Sequence, residues 1–162
     1  MPISAGNQKR YPPEWPQVRL QILERAKWKC EHPGCQAAQY AVGHWIIGEG
    51  DAAKWRPMVG NTPATTADDR AMHAAGQGLK PDGMPWTYRD ARAFIDRFAW
   101  PPEEVPIIIV LTVAHLNHQP EDCRPENLAA WCQRHHLAYD LEHHQRNAYA
   151  TRRKGKAIRE LF

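Results

Sequence analysis

The first regular pattern in the chain is Val18, Ile22 with Leu23, and Ala26, spaced three or four apart, which predicts an amphipathic helix over residues 15–29. Leu20 fills in beside that stripe, and Pro16 suits the first turn. The helix leads into CEHPGC, residues 30–35, where Pro33-Gly34 marks a tight turn. Before it, residues 1–14 are polar and proline-rich and read as a loose N-terminal arm. After it, Gly, Pro, Asp and Thr interrupt every period in residues 36–104, which read as a long irregular insertion. One segment there stands out, residues 87–98. Thr87 can cap a helix, Asp90 holds the capping-box position, and Ala91, Phe94, Ile95 and Phe98 form its apolar stripe. The run IIIVLTV, residues 107–113, is β-branched and continuous, as a single buried strand should be, and it runs on into Ala114-His115. A polar loop with Pro120 and Pro125, a short segment at 127–131 and Cys132 follow, and a helical pattern resumes over residues 135–150. The class expected is α+β, with an N-terminal helix.

At 162 residues and 43% hydrophobic content, the chain suits one domain with a modest core, to which a bound metal would add stability. The longest apolar stretch, residues 105–114, is far short of the roughly 20 residues a membrane helix needs. The opening MPISAGNQKRYPPEW has no apolar core and so no secretory signal. The expectation is a cytoplasmic protein without a membrane partner, in which thiols stay reduced. Four cysteines and nine histidines then point to metal chemistry. The net charge of +3 says little by itself, and its distribution says more. Residues 141–162 hold six Lys or Arg against two Glu, a local +4. Arg146, Arg152, Arg153, Lys154 and Lys156 make that stretch a basic tail suited to a phosphate backbone, or a solvated helix face.

Cys30 and Cys35 stand in a C-x4-C pair, and Cys132 and His135 in a C-x2-H pair. Zinc takes four such ligands in a tetrahedron, commonly as two short-spaced pairs from distant segments. A structural Zn2+ site of three cysteines and one histidine is therefore expected. It would tie the N-terminal helix to the C-terminal segment. Cys123 has no partner at metal spacing and reads as a free thiol.

Beyond the zinc pairs, a histidine closes a strand (His115), an asparagine opens the next segment (Asn127), and a histidine begins a helix (His136). With the knuckle between them, the stretch VLTVAHLNHQPEDCRPENLAAWCQRHHLAYDLEHHQRNA, residues 110–148, resembles the HNH endonucleases, especially the small phage-associated type. Cys30 and Cys35 resemble that family's upstream zinc pair, so a thinner likeness covers most of the chain. The resemblance implies a zinc-stapled ββα-metal finger over residues 107–147 inside one nuclease domain, residues 15–162. It implies a hydrolase that cuts DNA phosphodiester bonds with a divalent cation.

In the roles implied by the resemblance, His115 is the general base, Asn127 orients it, and His136 belongs to the catalytic set. His136 and Asp140 lie one helical turn apart, a fair seat for Mg2+, Mn2+ or Zn2+. His144 continues that face, either orienting a ligand or simply exposed. Two departures stand out. Ala114 occupies the position where many members place an Asp or His ligand, which leaves His136 and Asp140 alone or calls on His118. His135 stands where the family usually has cysteine, and zinc accepts either. Ala114 also favours a second reading, a zinc-stabilised DNA-binding module without catalysis. A zinc-bound protein-interaction domain is a third, and leaves the basic tail unexplained.

Overall fold

The computed structural model describes residues 9–47, 53–59 and 66–159, with the backbone alone for Ile47, Thr151 and residues 154–159. Helix α1, Trp15–Arg25, buries Ile22 and Leu23 and carries a proline in its first turn. It ends earlier than its apolar stripe suggests because Lys27 and Trp28 both turn left-handed, at φ 52° and 56°. Trp28 N–H donates to the Leu23 carbonyl at 2.9 Å, closing the helix end. The chain then runs through Cys30 and Cys35 to the first sheet.

That sheet has three strands in the order β2-β1-β3, all antiparallel: β1 is Val42–Ile47, β2 Ala53–Pro57 and β3 Ile107–Ile108. A second, two-stranded sheet pairs β4, Leu111–His115, with β5, Leu128–Cys132. Its register sets Leu111 opposite Cys132 and His115 opposite Leu128. Helix α4, Gln133–Arg159, starts directly after β5 and packs its first turns on both strands.

The apolar run at 107–115 is thus two strands in two sheets rather than one. Its break falls at Ile109 and Val110. Ile109 exchanges backbone hydrogen bonds with Tyr40 and Ala41, at 2.8 Å each. Val110 N–H donates to the side-chain oxygen of Gln133 at 2.8 Å, and Gln133 donates from its own side chain to the Ile108 carbonyl at 2.8 Å. One glutamine therefore satisfies the backbone where the ladder changes partners, as buried peptide groups require. Continuous hydrophobicity signalled burial correctly for Ile108, Ile109, Leu111 and Val113 but not for Ile107, which is exposed, and it carried no information about the change of sheet.

Residues 36–104 also differ from the irregular insertion expected. Besides β1 and β2 they hold helices α2, Ala67–Gly76, and α3, Tyr88–Ile95, each begun by a complete capping box, Thr66 with Asp69 and Thr87 with Asp90. They build a core of their own: Val42, Met58, Ala75, Ala91, Phe94 and Ile108 are buried together, with Trp86 against Phe94. Gly76 lets α2 approach the strand, since a Cβ there would sit 2.0 Å from the Met58 carbonyl oxygen. The other core joins Ile22 and Leu23 of α1 to Leu111, Val113, Leu128 and Ala130 of the second sheet. The end of the N-terminal arm is docked rather than loose. Arg10 makes a two-pronged ion pair with Glu121, at 2.6 and 2.9 Å, and Tyr11 packs on Trp15 with ring centroids 4.9 Å apart. Residues 1–8 of that arm lie outside the described residues. Among the described residues no helix is long and apolar enough to cross a membrane.

Phe94 tests whether the insertion has a real core. Phe94→Ala is expected to lower unfolding free energy by about 3–5 kcal/mol, read by guanidinium titration, and a loss below about 1 kcal/mol would contradict that core.

Candidate functional site

Two clusters of candidate functional side chains flank the β4–β5 hairpin. The first is the set expected from spacing. Cys30 and Cys35 come from the turn after α1, Cys132 from the end of β5, and His135 from the first turn of α4. Their ligand atoms all lie within 4.8 Å of one another. Among the described residues this is the one group of three or more His, Cys, Asp or Glu that converges so tightly. Cys132 Sγ is 3.2 Å and Cys30 Sγ 3.6 Å from His135 Nδ1. The Cys132 N–H donates to Cys30 Sγ at 3.3 Å. His135 is held flat against His32, with ring centroids 3.8 Å apart, and edge-on to Trp45.

The donor set fits a structural metal such as zinc. All three cysteines are buried and none is in a disulfide. Hydrogen bonds from Cys132, then Cys35, push the Cys30 thiol well below its usual range. Three sulfurs and an imidazole this close together are a donor set that a divalent ion such as zinc would take.

The second cluster surrounds the hairpin's other end. In β4 side chains alternate: Leu111, Val113 and His115 face α1, while Thr112 and Ala114 face α4. His115 is 8% exposed. Its ring stacks on Trp15, centroids 5.0 Å apart, meets the edge of Tyr11 at 5.6 Å, and lies with Nε2 3.8 Å from Cys123 Sγ. Burial lowers its pKa; Asp122 opposes that shift and His136 adds to it. The imidazole is therefore held neutral.

Asn127 ties down the loop that follows His115. Its side-chain nitrogen donates to Asn117 Oδ1 at 2.9 Å and to the Asp122 carbonyl at 2.8 Å. Its side-chain oxygen accepts from Asn117 N–H at 3.1 Å, and its carbonyl from Leu116 N–H at 2.8 Å. Every polar atom of that amide is engaged with the loop.

His136 sits in the first turn of α4, with Nδ1 2.6 Å from the Thr112 hydroxyl and Nε2 3.1 Å from Asp140 Oδ2. Burial lowers its pKa, and the Asp140 carboxylate works against that shift. The same carboxylate has His118 Nδ1 at 3.2 Å and His144 Nε2 at 3.8 Å. Sequence reasoning paired His136 with Asp140 from their spacing. It missed Thr112, Asn117 and Asp122, whose polar side chains carry no periodic signal. Cys123, read as unpartnered, lies against His115. Of the basic residues, Arg146, Arg152 and Arg153 are exposed on α4, with Arg146 3.8 Å from Glu142. The side chains of Lys154 and Lys156 lie outside the described residues.

No family model, curated protein or solved structure matches this chain.

Two predictions follow from these environments. Purified protein should carry about one zinc by elemental analysis, and Cys132→Ser should lose it and unfold well below the parent; equal melting of metal-free and metal-loaded parent would contradict a structural role. The second concerns pH. Unfolded His115 takes a proton near about pH 6.5, whereas the folded site resists it, so the unfolded chain binds more protons in that window. Its contribution to stability is complete above about pH 6.5 and is lost as pH falls toward the lowered folded value. The melting temperature should therefore drop less steeply on acidification in His115→Gln than in the parent, and parallel profiles would refute the assignment.

Proposed function

We propose that the chain is an HNH-type endonuclease, a metal-dependent phosphodiesterase acting on DNA through a ββα-metal finger. The observation that carries this reading is the division of labour around the hairpin. A neutral histidine closes its first strand, an asparagine opening its second clamps the following loop, and a histidine–carboxylate pair faces it from the helix. A simple binding module has no use for that combination.

In this reading His115 accepts the proton of the attacking water, as an imidazole held neutral can. Asn127 transfers no proton and keeps the loop beyond His115 in one conformation. Thr112 engages His136 Nδ1 and leaves Nε2, beside Asp140, as the metal-facing nitrogen. His136 and Asp140 would hold the divalent cation, a nitrogen and oxygen pair that suits one. When bound, that ion supplies positive charge for the phosphate and for the departing 3′ oxygen. Exposed Arg146, Arg152 and Arg153 along α4 offer cations to the DNA backbone.

The burial of His115 under Trp15 and Tyr11, together with Ala114, favours one competing reading, a zinc-stabilised DNA-binding module without catalysis. Incubation with supercoiled plasmid separates the two. The nuclease reading expects nicked or linear product with Mg2+, Mn2+ or Zn2+, abolished by chelator. His115→Ala should still bind DNA and both metals yet cleave about 10²–10⁴-fold more slowly. Plasmid that is retarded in a gel but stays intact with every ion would favour the binder.

A further inference from the structure

The end of the N-terminal arm lies across His115. Trp15 stacks on the imidazole at 5.0 Å, and the Tyr11 ring meets it edge-on at 5.6 Å while packing on Trp15 itself. Cys123 Sγ stands 3.8 Å from Nε2. Between them they leave the residue 8% exposed. A group that takes a proton from water must come within hydrogen-bond reach of that water. In this arrangement the ring is covered instead.

We propose that residues 10–11 are a removable, autoinhibitory cover over His115, closed by the Arg10–Glu121 ion pair, and that they lift away before the ring meets water and substrate. The proposal rests on the nuclease reading for the role of His115, and adds how access to that residue is regulated.

The two covering rings are held in different ways. Trp15 begins α1, which is packed into the core through Ile22 and Leu23. Tyr11 comes before Pro12 and Pro13, which keep it out of that helix. The Pro12 carbonyl accepts from Trp15 N–H at 3.0 Å, so the chain is anchored at Pro12 and can turn ahead of it. Tyr11 belongs to neither core. Among the described residues, the side-chain hydrogen bonds that tie residues 9–11 to the rest of the fold are the two from Arg10 to Glu121, at 2.6 and 2.9 Å.

The receiving side of this latch is fixed, because Asn127 holds the Asp122 carbonyl beside Glu121 in the loop that also carries Cys123. The latch itself faces water, with the Arg10 and Glu121 side chains 46% and 55% exposed. An ion pair so exposed gains little over its hydrated parts, and salt weakens it further. Tyr11 can therefore leave without disturbing either core. A histidine buried only for packing would be enclosed by the cores themselves and would not depend on a segment outside both.

The test uses the full-length protein without DNA and follows the rate at which diethyl pyrocarbonate acylates His115, read by peptide mass spectrometry. The neutral imidazole attacks the reagent, so the rate reports how often the ring is uncovered. In the parent it should be slow and should rise with added sodium chloride. Arg10→Ala should react about threefold to fivefold faster and lose the dependence on salt. Tyr11→Ala, which removes the covering ring, should react about tenfold faster. Arg10→Glu should behave like Arg10→Ala, and adding Glu121→Arg should restore the slow, salt-dependent rate of the parent, which general loosening of the fold would not allow. Parent-like rates in both Arg10→Ala and Tyr11→Ala would overturn the proposal, as would a charge swap that restores nothing. On supercoiled plasmid with a divalent ion, the uncovered variants should nick faster than the parent. Faster acylation with cleavage no faster than the parent's would also overturn it. If acylation follows the expected pattern while neither parent nor variants cut plasmid, the cover stands and the nuclease reading fails.

Discussion

The convergence of Cys30 and Cys35 with Cys132 and His135 is the constraint on which the rest of this structure depends. It joins two segments about a hundred residues apart, the turn that ends α1 and the junction where β5 becomes α4. Its three cysteines are buried in the same core as Ile22, Leu23, Leu111 and Leu128, and a metal bound there would add folding free energy to a core of modest size. It also fixes the rotation of α4. His135 and His136 are neighbours on a helix and point about 100° apart. With His135 turned into the cysteine cluster, His136 faces the Thr112 hydroxyl and Asp140. The cluster expected to be structural thereby sets the aim of the cluster proposed to be catalytic.

Polar side chains do much of the remaining assembly, because the two sheets are short and their ladders soon run out. Gln39 and Gln133 receive the backbone N–H groups of Leu111 and Val110 where the chain changes sheets. Arg25 donates to the carbonyls of Pro125 and Leu128 at 2.8 Å each, and its ion-pair partner Glu31 accepts from Ala130 N–H at 2.8 Å. These contacts seat the end of α1 against β5. Asn127 does the same for the loop after β4. An unpaired buried peptide group costs on the order of 1–3 kcal/mol, so Gln39, the acceptor for the buried Leu111 N–H, is hard to replace.

Around His115 one arrangement has two consequences. Trp15 and Tyr11 remove water from the ring, which keeps the imidazole neutral, and they also cover it. Arg10 holds that cover in place through Glu121, a residue of the loop that Asn127 organises. In the proposed mechanism, access of water to His115 therefore depends on how the arm sits. The insertion at 36–104 meets the rest through β1, β3 and Trp45, whose ring abuts His135, so its fold bears on the cysteine cluster.

What the sequence determined by itself is what short-range chemistry encodes. The spacing of Cys30, Cys35, Cys132 and His135 marks a metal set, Thr87 with Asp90 marks the start of α3, and residues 136 and 140 lie one turn apart in any helix. Each follows from covalent spacing and backbone period, which do not depend on what lies across the fold. Tertiary structure alone decided the rest. The run at 107–114 is hydrophobic except for Thr112, and only its neighbours settle where it passes from one sheet to the next. The second core is built from residues scattered between Val42 and Ile108, with no period to show them together. Thr112 reaches His136 because β4 alternates its faces and α4 folds back over one of them. His118 meets Asp140 through a left-handed turn that no propensity for histidine would suggest. Partners across a fold are chosen by geometry, and one-dimensional spacing carries geometry only over a turn or two of chain.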